Sequence, residues 1–175
     1  ALATLDRFIK LHPSSPAYDY ALYLRGVTNF NDNLGLMGEM SKQELSERDQ
    51  RASRDAYQSF QQLVQQYPGS KYAADAQLRM DYIVNTLAEY EVHVARYYYK
   101  RGAYLAAVNR AKQAVAEFEQ SPATEEALYI MFISYDKLEL TDLRDAAGRV
   151  LRKNFPNSEY LASGLRPAKR AWWML

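Results

Sequence analysis

The chain has no cysteine. That excludes disulfides, thiolate nucleophiles and cysteine-based zinc sites together, and it leaves the redox compartment open. Histidine is nearly as scarce: only His12 and His93 occur, with no second histidine four residues from either, so no helical metal pair is present. No apolar run approaches the roughly 20 residues needed to span a bilayer. An excess of one charge is lacking too. The 22 Lys and Arg face 21 Asp and Glu, so any electropositive function must be local. Phosphate loop, dinucleotide fingerprint and nucleophile elbow are all missing. The carboxylate pairs Glu89/Glu91, Glu117/Glu119 and Glu125/Glu126 are too close in sequence to face one another on a helix, and are expected on the solvated surface. Neither an enzyme nor a cofactor is expected.

Glycine and proline are few, at seven and six, which favours helix. At 175 residues the chain is long enough for one sizeable core. It opens "ALATLDRFIKL", with Leu2, Leu5, Phe8 and Ile9 already in helical phase and no signal segment before them. The start is therefore expected to fall inside a helix of a longer protein.

The prolines are used as punctuation. Four are followed two residues later by a hydroxyl: Pro13/Ser15, Pro68/Ser70, Pro122/Thr124 and Pro156/Ser158. Each proline should end one amphipathic helix and each hydroxyl should cap the next. Upstream, Ala56 and Phe60 stand 12 and 8 residues before Pro68, as do Ala1 and Leu5 before Pro13. This is the small, large-apolar and proline spacing that closes a tetratricopeptide repeat. In the other two copies Arg110 and Arg144 fall at the small position, and Ala114 and Gly148 at the large one. The expected architecture is an all-α tetratricopeptide-repeat helical solenoid over 1–175, with an inter-repeat loop at 31–48. A long helix should run from Tyr72 to Lys100, with shorter helices after Gly102, at about 124–138 and at about 142–154. The stretch 160–175 reads as a cap or tail, in which Trp172 and Trp173 either cover the last repeat or meet a membrane interface.

One segment concentrates charge. Between Ala95 and Ala116 there is no acidic residue, while Arg96, Lys100, Arg101, Arg110 and Lys112 are all basic and four tyrosines lie among them. Solvated charge, a protein-docking face and a nucleic-acid patch are three readings of this pattern; Tyr and Arg are prominent in interface hot spots. If Tyr97, Tyr98 and Tyr104 are partly core and Gly102 stops the long helix, then Tyr99, Lys100, Arg101 and Arg110 remain for binding.

The segments "DRFIKLHPSSPAYDYALYLRGVTNF", "AYQSFQQLVQQYPGSKYAADAQLRM" and "LAEYEVHVARYYYKRGAYLAAVNRA" together resemble the BamD (ComL) family of tetratricopeptide lipoproteins of the outer-membrane β-barrel assembly (BAM) machinery. The resemblance covers residues 1 to about 120. It implies a non-enzymatic scaffold on the periplasmic face of the outer membrane, tethered by a lipidated N-terminal cysteine that these residues do not include. It implies docking on the POTRA domain of BamA nearest the barrel, with Arg110 of the "VNR" motif in a salt bridge to an acidic residue and Arg101 of the "RGA" turn beside it. BamC and BamE are further partners in its terms, and nucleic acid is not expected. Two alternatives stand: another periplasmic repeat lipoprotein of the pilus-pilotin type, or a competence protein that contacts peptidoglycan or nucleic acid.

Overall fold

The computed structural model describes residues 1–34 and 47–165. Eight helices occur among the described residues: α1 (Leu2–Leu11), α2 (Tyr18–Leu34), α3 (Glu47–Gln66), α4 (Ala73–Lys100), α5 (Tyr104–Glu117), α6 (Ala123–Lys137), α7 (Thr141–Asn154) and α8 (Glu159–Ser163). The expected all-α repeat class and the long helix are both present. The 31–48 stretch differs from its expected loop at both ends, because α2 continues to Leu34 and α3 already begins at Glu47. Nothing between Asn31 and Leu34 breaks a helix; the first glycine of the stretch is Gly35. The rest of that stretch, and Trp172 and Trp173, lie outside the described residues.

The chain divides into two compact units, with the boundary after Leu87, inside α4. In the first, the sequence-predicted repeat positions Ala56 and Phe60 are fully buried, together with Leu22, Leu63, Ala76 and Ile83. Phe60 is accommodated because Gly26 faces it: a Cβ built on Gly26 would overlap its ring carbons. Around that core, Ser70 donates to Asp19 at 2.6 Å, and Tyr23 donates to Asp75 at 2.7 Å. Arg79 closes on the same Asp75 from one turn away at 2.6 Å.

The second unit packs differently. Its main core is built from Val92, Ala95, Ala107, Ala111, Ala114, Ala127 and Ile130, so α4, α5 and α6 meet mostly through alanine. Small side chains let helix axes approach closely. A second cluster of Val108, Tyr135 and Ala147 joins α5, α6 and α7.

Four inter-helix turns share one hydrogen-bond pattern. The carbonyl of His12, Tyr67, Phe118 or Phe155 accepts from the N–H of the serine three residues on: Ser15, Ser70, Ser121 or Ser158. His12, Phe118 and Phe155 also share nearly the same backbone torsions, with φ between −132° and −130°. The third copy therefore centres on Ser121, three residues before Thr124, and Glu119 occupies its proline position. This corrects the expected Pro122/Thr124 register. The Oγ of Ser15, Ser70 and Ser121 each accepts from the N–H two residues later, at 3.2–3.3 Å. Thr124 caps nothing; buried, it donates to the Phe118 carbonyl at 2.9 Å. In the corrected register the small and large positions of this copy are Ala107 and Ala111, both fully buried. The same turn leaves His12 exposed at the end of α1, its ring 5.3 Å from that of Phe8.

Two glycines separate steric from torsional cost. Gly26→Ala should destabilise the protein by about 3 kcal/mol, because the added methyl collides with a ring that has nowhere to move. Gly102→Ala meets no neighbour within 4 Å but holds φ at +76°, and should cost about 1 kcal/mol. Urea unfolding of both variants measures the difference; equal losses would show that the Phe60 contact relaxes.

Candidate docking site

The end of α4 builds the site. Beyond Lys100 the helix cannot continue, because Gly102 takes a positive φ. Its N–H donates to the Tyr99 carbonyl and the next N–H, of Ala103, reaches back to Tyr98, both at 3.0 Å. These paired bonds are a Schellman stop. They leave residues 100–103 exposed at the tip, and α5 then starts at Tyr104 without a side-chain cap.

The three consecutive tyrosines separate by role. Tyr98 and Tyr99 pack against the alanine-rich core. Tyr99, expected among the binding residues, is half-buried with its ring 5.5 Å from Tyr104. Burial, and secondarily the nearby Tyr104, Tyr129 and Asp136, push its phenol above the usual value. Tyr97, expected partly in the core, is instead 54% exposed, with the Arg101 guanidinium 5.8 Å from its ring centre. That distance is a cation–π contact. On α5, Leu105, Asn109 and Lys112 follow at helical spacing on one exposed face.

The five basic residues also divide. Arg96 is used internally: its Nε and Nη2 grip both oxygens of Glu126 at 2.5 and 2.6 Å. Tyr160 of α8 donates to the same carboxylate at 3.0 Å. The Arg96 guanidinium is held above its ordinary pKa mainly by the Glu126 hydrogen bonds, against an opposing desolvation. Arg110 donates through Nη1 to Glu91 Oε2 at 3.1 Å. The Glu91 side chain is only 4% exposed, whereas that of Arg110 remains 42% exposed. Lys100, Arg101 and Lys112 are exposed.

Glu91 and Glu126 were both expected in solvent, and both are buried. For Glu91, on α4, the cause lies in the face that the helix presents. Its buried stripe runs through Met80, Ile83, Leu87, Ala88, Val92 and Ala95. The large side chains Tyr90, Val94 and Tyr97 suggest a stripe rotated by about one residue, or roughly 100°. Alanines 88 and 95 were the available signal for the true face, and they place Glu91 inside it.

The arrangement offers a cationic and aromatic edge and no converging chemistry. Among the described residues no group of three His, Asp or Glu could hold a metal ion. Among the same residues no helix is long and apolar enough to cross a membrane. The second unit also carries a cleft of about 550 Å³, where Val115, Leu128, Val150 and Phe155 meet the polar Glu119, Gln120, Thr124 and Asn154.

Residues 1–151 match the model of a family described as outer membrane lipoprotein, YfiO. Over 173 residues the chain is 46% identical to a Neisseria gonorrhoeae protein named outer membrane protein assembly factor BamD, covering 99% of this chain and 65% of that protein. Proteins of the same name from Vibrio cholerae and from Xylella fastidiosa strain Temecula1 are 34% and 35% identical, over 87% and 92% of this chain and 64% and 55% of theirs. The chain thus spans just under two thirds of these relatives' length, or less. Their shared name is that of an assembly factor and denotes no reaction.

The Arg96–Glu126–Tyr160 cluster makes stability depend on alkaline pH. Burial first, then the charge and hydrogen bond of Glu126, push the Tyr160 phenol up from 10 to about 12. The unfolded chain releases this proton near pH 10 while the fold still holds it. The contribution is therefore complete below about pH 10 and lost as pH rises through about 12. Thermal midpoints across that window should fall less steeply for Tyr160→Phe than for the parent; parallel curves would show that Tyr160 is not the responsible group.

Proposed function

The chain belongs to the outer membrane lipoprotein family that includes the BamD assembly factors, and on that premise we propose that it is a non-enzymatic scaffold of β-barrel assembly. It works at the periplasmic face of the outer membrane and docks on a POTRA domain of BamA, with BamC and BamE as further partners. The observation that carries this reading is the edge at the α4–α5 turn. There Lys100 and Arg101 stand exposed, Arg101 lies over the exposed Tyr97, and Arg110 turns a partly exposed guanidinium outward. Aromatic and arginine side chains held on packed helices suit a well-defined protein surface better than a diffuse polyanion. Internal pairing of Arg96 subtracts from the cationic field that nucleic acid would need.

In this reading the residues have separate tasks. Arg110 meets a partner carboxylate through a charge-assisted hydrogen bond. Lys100 and Arg101 form the charged rim, and Tyr97 supplies rigid contact area. Tyr99 contributes indirectly, since its ring supports Tyr104 and the start of α5.

Binding to the soluble periplasmic region of BamA tests the proposal. Arg110→Gln should weaken it by about 2 kcal/mol or more, while the Lys100→Glu/Arg101→Glu double variant should slow association and reduce its salt dependence. The exposed pair should leave the unfolding midpoint unchanged. Unaltered affinity of a folded Arg110→Gln protein would remove Arg110 from the interface. Tight binding to single-stranded DNA that collapses with added salt would replace the protein-docking reading altogether.

A further inference from the structure

Two arginines of the second unit face buried carboxylates, and they do so differently. Arg96 sets one whole edge of its guanidinium, Nε and Nη2, against both oxygens of Glu126, and both side chains are well covered. Arg110 gives Glu91 a single nitrogen, Nη1, at 3.1 Å. A guanidinium has five N–H donors, so this contact leaves most of them for another acceptor, and the side chain is 42% exposed. Glu91 sits on the alanine-rich face of α4, next to the buried Ala88, Val92 and Ala95. A carboxylate placed there and met by one monodentate cation is a poor device for stability, since an apolar side chain of similar volume often serves as well or better.

We infer that Glu91 is a positioning residue: it holds Arg110 by one nitrogen so that the remaining edge of the guanidinium is presented to a carboxylate of the docking partner. The inference rests on the docking reading above. Arg110 then bridges two carboxylates, one belonging to its own core and one supplied from outside. Its long side chain gives up rotamer freedom before the partner arrives, which lowers the ordering cost of association. The arrangement also bears on the choice of variant. Arg110→Glu would set a second carboxylate against a buried one and disturb the fold, so neutral replacements report more cleanly.

A double-mutant cycle on the whole chain separates the possibilities, with the soluble periplasmic region of BamA as the probe. Glu91→Leu should keep or raise the thermal midpoint and weaken binding about tenfold. Glu91→Gln, whose amide oxygen can still accept from Nη1, should recover part of that loss. In an Arg110→Gln background Glu91→Leu should cost nothing further, because the effect runs only through Arg110. Parent-like binding of Glu91→Leu would overturn the positioning role and leave docking through Arg110 intact. Losses that add in the double variant would overturn it too, since Glu91 would then act by another route. Unchanged binding of Arg110→Gln alone would instead remove Arg110 from the interface and end docking through it. If Glu91→Leu does not fold, the same cycle run with Glu91→Gln distinguishes the same outcomes through a smaller effect.

Discussion

A carboxylate that leaves water must be met by a cation, and the second unit meets that demand twice. Glu126 is satisfied by a two-pronged arginine and a tyrosine hydroxyl, Glu91 by one nitrogen of Arg110. Buried charge left unpaired costs several kcal/mol per ion, on the order of the stability of a whole domain. Those two carboxylates therefore decide which members of the basic segment still face outward. The segment of five cations resolves into one closed pair, one shared arginine and three exposed side chains. What looked like a charge stripe in one dimension is a small edge in three.

Much of the architecture was legible in the chain. The 28-residue helix α4, the stop at Gly102 and the burial of Ala56 and Phe60 follow from periodicity, from the absence of breakers and from repeat spacing. The third turn was misplaced because proline is a conspicuous residue and serine is not. Pro122 drew the register toward itself, while the motif is an aromatic carbonyl closing on a serine N–H, which Phe118 and Ser121 supply without proline. Proline favours such a turn by restricting its neighbours; the hydrogen bonds define it.

The candidate site was legible in part. Lys100 and Arg101 stand where the helix stop puts them. Tyr97 and Tyr99 exchanged expected places, and Glu91 went inside, for a single reason. Large side chains announce a helix face loudly, whereas the face that packs closest is made of residues with the least to announce. Ala88, Ala95, Ala107, Ala111 and Ala114 carry little hydrophobic weight one by one, yet they set the orientation of α4 and α5.

That alanine seam has an evolutionary consequence. A seam of methyl groups has no room to enlarge and little volume to lose, so substitutions along it are confined to very few residue types. The outward side of the same two helices is under no such restriction. Lineages can therefore exchange Leu105, Asn109 or Lys112 for other residues while the spacing of α4 and α5 stays where it was. The docking edge proposed above, mounted on such a frame, could follow a changing partner one side chain at a time, without the frame having to be rebuilt.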